Sequence, residues 1–311
     1  MKIILLLTFY CVCIFVASLG GGALPWLMRF SHRQMQHLMS FVGGLMLGVA
    51  VLHLLPHGVH ELRHIPAIVG RPLDLAAGWL LGGLLAMFML IRVFHVHAHE
   101  HGDTSDVPSP DHSHGHSHGH ACGHNHHHAH EHPSGLLHLG AKDAEPDGAA
   151  HRFSWLGLAI GLALHTLIDG VALGAAVAAE STGPHAWALS GLGIFLAIAL
   201  HKPLDALSIT SLMSAGGWTR RQAWIANTIF ALMCPAGAFA FVFGIGGAGN
   251  YHYLIVGCAL AFSAGVFLCI SLADLLPELA FHAHDRFPLT MMLFLGVALA
   301  WLIGYLEPPH P

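Results

Sequence analysis

The sequence predicts an all-α polytopic membrane protein, and three observations carry that prediction. Of 311 residues, 55% are hydrophobic and 9% charged, against about 25% charged in an ordinary soluble domain. Mean hydropathy is +0.62. The apolar residues arrive in long blocks separated by short polar ones, each block close to the ~20 residues that a helix needs to cross a bilayer.

Eight blocks qualify as spans: about 3–24, 39–60, 73–94, 153–179, 186–213, 223–246, 252–279 and 289–306. The first opens on Lys2, continues apolar and ends in small residues, as a signal peptide also does. Its length, and the even helix count it gives, favour a span. The second closes on "HLLPHGVHE" and the seventh on "DLLPELAFH"; Pro56 and Pro277 should kink these two helices. Residues 1–94 thus hold spans one to three and 153–311 hold spans four to eight.

Residues 95–152 stand apart. They carry "HVHAHEHGDTSDVPSPDHSHGHSHGHACGHNHHHAHEHPSG" and a polar tail. A segment so rich in His and Gly, and so poor in apolar residues, cannot bury a core and should be disordered when metal-free. Its alternating imidazoles suit many weak, exchangeable metal sites, as in a buffer or sensor; the bland alternative is an inert linker.

Orientation follows from Lys and Arg. With the N-terminus outside, the inner loops hold Arg29, Arg33, Arg92, Lys142, Arg152, Arg220, Arg221 and Arg286, and the outer ones Lys2, Arg63 and Arg71. Both termini should therefore face outward and the His-rich segment the cytoplasm. Lys202 lies within a span. The basic residues form no nucleic-acid footprint. Cys11, Cys13, Cys122, Cys234, Cys258 and Cys269 show neither a disulfide framework nor zinc-ribbon spacing.

Short patterns recur in opposed senses. "HTLID" in the fourth span and "HKPLD" in the fifth run antiparallel, as do the Pro motifs of spans two and seven. Opposed copies suggest inverted repeats, which transporters use to build a site at the bilayer midplane. Residues i and i+4 share one helical face. His165 with Asp169, and His201 with Asp205, can therefore each ligate one ion. A carboxylate buried in a membrane is costly unless it is paired or coordinates a metal. Imidazole with carboxylate suits Zn²⁺ and accepts Fe²⁺, Mn²⁺ or Co²⁺, with Cd²⁺ a further candidate. A metal-free His–Asp hydrogen bond between helices is the alternative for either pair taken singly.

On these residues the chain resembles the ZIP family of divalent-metal transporters, over all eight spans. "HTLIDGVALGAA" is similar to the family's fourth-helix signature: His, a small polar residue, two variable residues, an acid, then Gly. "HKPLD" falls where the fifth-helix motif belongs, and "SLADLLPELAFH" and "VLHLLPHG" resemble helices seven and two. The resemblance implies eight helices in an inverted-repeat (3+2+3) arrangement, uptake toward the cytosol, and a transport site of His165, Asp169, His201 and Asp205. Met46 would add a soft ligand, its alternative being apolar packing.

Two departures from the family pattern bear on stoichiometry. Many relatives hold two metals bridged by acids. The positions that would serve the second metal read Lys202 and, by a loose alignment of "CPAGA", Cys234. Lys202 in the second metal's place implies a single-metal site; the alternative is snorkelling to an interface. His53 and His57, followed by His60 and Glu61, suit an inlet relay, and Asp274, Glu278 and His282 an outlet relay. Solvated helix ends are the alternative for both.

The functional expectation is a zinc importer with no resident cofactor. Its partners would be divalent metal ions and the lipid bilayer, with a homodimer left open. A cation-diffusion-facilitator exporter also uses His and Asp four apart, but with six spans and a cytosolic C-terminal domain. An intramembrane metalloenzyme would need an open metal position beside a general base. HELRH at 60–64 fits HExxH and GHSHG at 115–119 fits GxSxG by letter. The first closes a span away from the HxxxD pairs, and the second lies in the low-complexity His-rich segment rather than on a strand-to-helix turn, so an enzyme is not expected.

Overall fold

The computed structural model describes residues 2–27, 31–65, 71–99, 150–181, 190–281 and 286–305. These residues form an all-α bundle of α1 (Lys2–Leu27), α2 (His32–Val49), a π-helical turn (Ala50–Leu54), α3 (Leu55–Arg63), α4 (Pro72–His99), α5 (Ala150–Ser181), α6 (Leu192–Ala215), α7 (Arg220–Ile245), α8 (His252–Phe281) and α9 (Arg286–Gly304). Eight helices are long and apolar enough to cross a membrane, with α2, the π turn and α3 together making the second. The sequence places all eight. Most of the His-rich segment, residues 100–149, lies outside the described residues.

Local signals set the helix ends. Ser31 with Gln34, and Thr219 with Gln222, form capping boxes that begin α2 and α7 and satisfy backbone N–H groups a helix start leaves orphaned. The fifth span starts at Leu192 rather than near 186, because Gly191 adopts φ 75 and breaks the helix there. The second span is interrupted where Pro56 demands it. Proline cannot donate to the carbonyl four residues back and its ring crowds that carbonyl. The π turn directly before it, with Leu55 and Pro56 opening α3, widens the helix at that place. Past Pro277, α8 continues as one helix to Phe281.

The packing carries the internal symmetry that the motifs suggest. The closest helix pairs are α2 with α9, α5 with α7, α4 with α8 and α1 with α6. In span numbers these are 2–8, 4–6, 3–7 and 1–5. Exchanging spans 1 and 6, 2 and 7, 3 and 8, and 4 and 5 turns 2–8 into 7–3 and 4–6 into 5–1, so the set maps onto itself. The contacts obey the same exchange. A Cβ on Gly44 of α2 would strike the Leu293 carbonyl of α9, and one on Gly296 of α9 the Phe41 carbonyl of α2. Gly265 of α8 and Gly83 of α4 do the same against Leu80 and Phe262. Small residues let backbones approach this closely where lipid supplies no hydrophobic drive between helices. Spans four and five, exchanged with each other, lie at the centre of this relation.

Candidate metal centre

The fourth and fifth spans, α5 and α6, each present a His and an Asp one turn apart, and the fold brings the two pairs together. His165, Asp169, His201 and Asp205 each offer one ligand atom, all within 4.8 Å of one another. Three of the four are buried and Asp205 is partly so. His165 Nδ1 is 3.4 Å from Asp169 Oδ1 and its Nε2 3.9 Å from Asp205 Oδ2. His201 Nε2 is 3.3 Å from Asp169 Oδ2 and 3.8 Å from Asp205 Oδ2. A tetrahedral ion with bonds of about 2.0–2.1 Å has ligand–ligand edges of about 3.3–3.4 Å, so the side chains stand close to the spacing such an ion needs.

Hydrogen bonding points the same way. His201 Nδ1 lies 2.7 Å from the Ala197 carbonyl. A carbonyl only accepts, so Nδ1 carries a hydrogen and is held by the backbone, while Nε2 faces the carboxylates, the ring orientation a metal-binding imidazole needs. Neither nitrogen of His165 has a hydrogen-bond partner among the described residues, nor has Asp169 Oδ1. Buried polar atoms without partners are costly; a shared cation would satisfy them. Phe267 of α8 meets the His201 ring edge-on at 6.1 Å and forms an apolar wall.

Lys202 enters this cluster from α6. Its ammonium, 1% exposed, lies 2.6 Å from Asp169 Oδ2 and 3.1 Å from Asp205 Oδ2. It also donates to Thr166 Oγ1 at 2.9 Å and sits 5.3 Å from the centre of the Phe230 ring. A snorkelling lysine would reach an interface; this one points into the protein. Cys234 is buried on α7 at the crossing with α5: a Cβ on Gly170, next to Asp169, would meet the Cys234 carbonyl, and one on Gly237 the Leu167 carbonyl.

The remaining sequence candidates lie outside this four-residue cluster. Met46 is buried in the main apolar core with Ile194, Ile198 and Phe267. His53, in the π turn, donates through Nε2 to the Ala300 carbonyl of α9 at 2.8 Å. His57 is buried on α3, with Nε2 3.8 Å from Glu180 Oε1 at the end of α5. Glu61 is buried one turn further along α3. Asp274 and Glu278 lie on α8, but their side chains, and His282 altogether, lie outside the described residues.

Sequence reasoning missed three partners. Thr166 had a signal, as the small polar residue of the fourth-helix signature. Phe230 had none, being one aromatic in an apolar run. Glu180 sits at the edge of a span, where carboxylates are usually solvated. Here its Oε2 accepts the Gly191 N–H at 2.8 Å and ties the end of α5 to the start of α6.

The fold and this cluster together describe a polytopic membrane protein with a buried, metal-competent His/Asp site. A family model described as ZIP Zinc transporter matches residues 4–304. The chain belongs to the ZIP zinc transporter family. It is 31% identical over 157 residues to "Zinc transporter ZIP9" of Xenopus tropicalis, covering 50% of each chain. It is 32% identical over 133 residues to "Zinc transporter ZIP10" of Danio rerio, covering 43% of this chain and 14% of that one. "Zinc transporter ZIP10" of Homo sapiens is 32% identical over 153 residues, 49% of this chain and 17% of that one. The alignments thus span about half the length of the ZIP9 relatives.

Proposed function

We propose that this chain carries zinc across the membrane toward the cytosol, one ion at a time, through His165, Asp169, His201 and Asp205. The observation that carries this reading is the convergence of these four side chains from α5 and α6 at near-tetrahedral spacing, in a span interior where uncompensated carboxylates are costly. His/Asp chemistry also accepts Fe²⁺, Mn²⁺, Co²⁺ and Cd²⁺. Lys202, whose ammonium bridges the two carboxylates, takes the second metal's place, with Cys234 beside it in lieu of an acid. Met46 on the second span serves as a soft flanking ligand. The proposal extends to His53 and His57 as an inlet relay and, from sequence, to Asp274, Glu278 and His282 as an outlet relay.

Uptake of labelled zinc into sealed proteoliposomes, with a panel of competing ions, tests the reading. Asp169→Ala and Asp205→Ala should each abolish uptake while the protein still inserts and purifies normally. Near-normal uptake by both variants would sink the assignment.

A further inference from the structure

The exchange of α5 with α6 pairs His165 with His201 and Asp169 with Asp205. It also pairs the residues that follow each His, Thr166 and Lys202. The metal-ligand pairs match across this relation, and the next position does not. One side carries a hydroxyl and the other an ammonium, and the two touch, Lys202 Nζ to Thr166 Oγ1 at 2.9 Å.

We propose that Lys202 is a tethered cation that holds the transport site between metal ions. Its ammonium occupies Asp169 and Asp205 when no metal is bound, and withdraws onto Thr166 and the Phe230 ring when a divalent ion takes the two carboxylates. The inference rests on the zinc-site reading above and adds how the site behaves while it carries no ion.

Three observations support the exchange. First, lysine and metal need the same atoms. Asp169 Oδ2 and Asp205 Oδ2, which Lys202 contacts at 2.6 and 3.1 Å, are the oxygens that His201 Nε2 faces at 3.3 and 3.8 Å. A metal drawn to His201 and these oxygens meets the ammonium in its place. Second, charge forbids both states at once without a cost. Two carboxylates and one ammonium leave one net negative charge. Adding a divalent ion leaves one positive charge, with two cations sharing the same oxygens in a low-dielectric interior. Third, a second seat is already built. The Thr166 hydroxyl can keep its bond to the ammonium while the carboxylates are released. The Phe230 face, 5.3 Å away, attracts a cation through its quadrupole. Rotation of a flexible four-carbon stem suffices, with no helix moved.

The consequence reaches the transport cycle. A carrier that alternates access must return its site without cargo. Two bare carboxylates in the bilayer interior oppose that step; the tethered ammonium lowers its cost.

The test uses the full chain. Metal affinity is read from the rise in thermal midpoint with added Cd²⁺ or Zn²⁺ in detergent. Transport is read in proteoliposomes as two rates: net uptake into metal-free vesicles, and exchange of labelled zinc into zinc-loaded ones. Lys202→Met removes the competitor. Its metal affinity should rise by roughly tenfold or more, with net uptake falling and exchange persisting. Thr166→Val with Phe230→Leu removes the second seat and leaves every ligand intact. Its affinity should move the opposite way, roughly tenfold weaker. A merely structural lysine would give losses of one sign in both. If Lys202→Met binds metal no tighter than wild type, or if net uptake and exchange fall together, the inference is overturned. Should Lys202→Met not accumulate, the Thr166/Phe230 variant decides: unchanged or tighter binding overturns the inference. Failure of the zinc-site reading would show separately, as wild-type uptake that survives Asp169→Ala and Asp205→Ala.

Discussion

At the scale of single residues, Asp169 is the fully buried carboxylate of the cluster. It faces an ammonium and two imidazoles. Breaking a buried ion pair by removing one partner costs about 3–5 kcal/mol, because the other charge stays buried. Asp169→Asn keeps the shape and loses the charge, so thermal unfolding in detergent should show a loss of that order, besides lost zinc uptake. Adding Lys202→Met removes the stranded ammonium. The double variant should recover most of the stability and none of the transport, a separation that thermal midpoints and uptake rates measured side by side will show. A double variant no more stable than Asp169→Asn would mean that the ammonium is not the stranded charge. The four clustered residues were legible in the sequence, since a His and an Asp four apart share one helical face and stand out against an apolar block. The place of Lys202 was half legible: its position within "HKPLD" put it at the site, but not which oxygens it would take. Phe230 was illegible, because an aromatic residue in a membrane span gives no sign of what it will touch.

At the scale of helices, the site depends on a crossing rather than on a loop. Gly170 follows Asp169 directly, and a side chain there would run into the Cys234 carbonyl and the Ala238 backbone of α7. Overpacking such a contact costs typically about 1–3 kcal/mol, and here the displacement falls next to a ligand. Gly170→Val should therefore lower the thermal midpoint and the zinc affinity together. Gly20→Ala on α1, where a Cβ meets nothing within 4 Å, should change neither. Equal effects from the two substitutions would show that the α5–α7 approach does not position Asp169. The eight spans themselves were read from length and hydropathy, because lipid demands a long apolar run whatever the partner. Their pairing was not. Gly44, Gly83, Gly237 and Gly265 make close approaches, while Gly78 and Gly82 face open space, and in the sequence both kinds are simply glycines among apolar residues. The break in the second span was foreseeable from Pro56; its form, a π turn rather than a simple bend, was not.

At the scale of the whole molecule, the proposed direction of transport rests on a charge bias, because inverted repeats leave it open. An internal two-fold relation makes the two ends of the bundle similar in packing, so the fold alone does not say which end faces the cytosol. The flanking charges supply the expectation. By sequence, eight Lys and Arg residues fall in one set of alternate loops and three in the other, and an excess of that kind in short loops favours the cytoplasm. The longest polar segment, with its His-rich tract, belongs by sequence to the basic set of loops. Imidazoles in such number would then meet metal leaving the site. Deleting residues 97–132 should spare the transport chemistry, since the four proposed ligands lie outside that segment, and alter the apparent affinity at low zinc; complete loss of uptake in a normally inserted deletion would mean that the segment supplies an obligatory ligand. The orientation itself is tested by labelling intact cells. A tag near residue 110 should be protected from an impermeant reagent until the membrane is permeabilised, and a tag after Pro311 should react at once. The two positions are separated by five spans, an odd number, so they must give opposite answers if the span count is right. Two tags that react alike would refute the count. Opposite answers in the reversed sense would leave the bundle intact and reverse the direction assigned to transport.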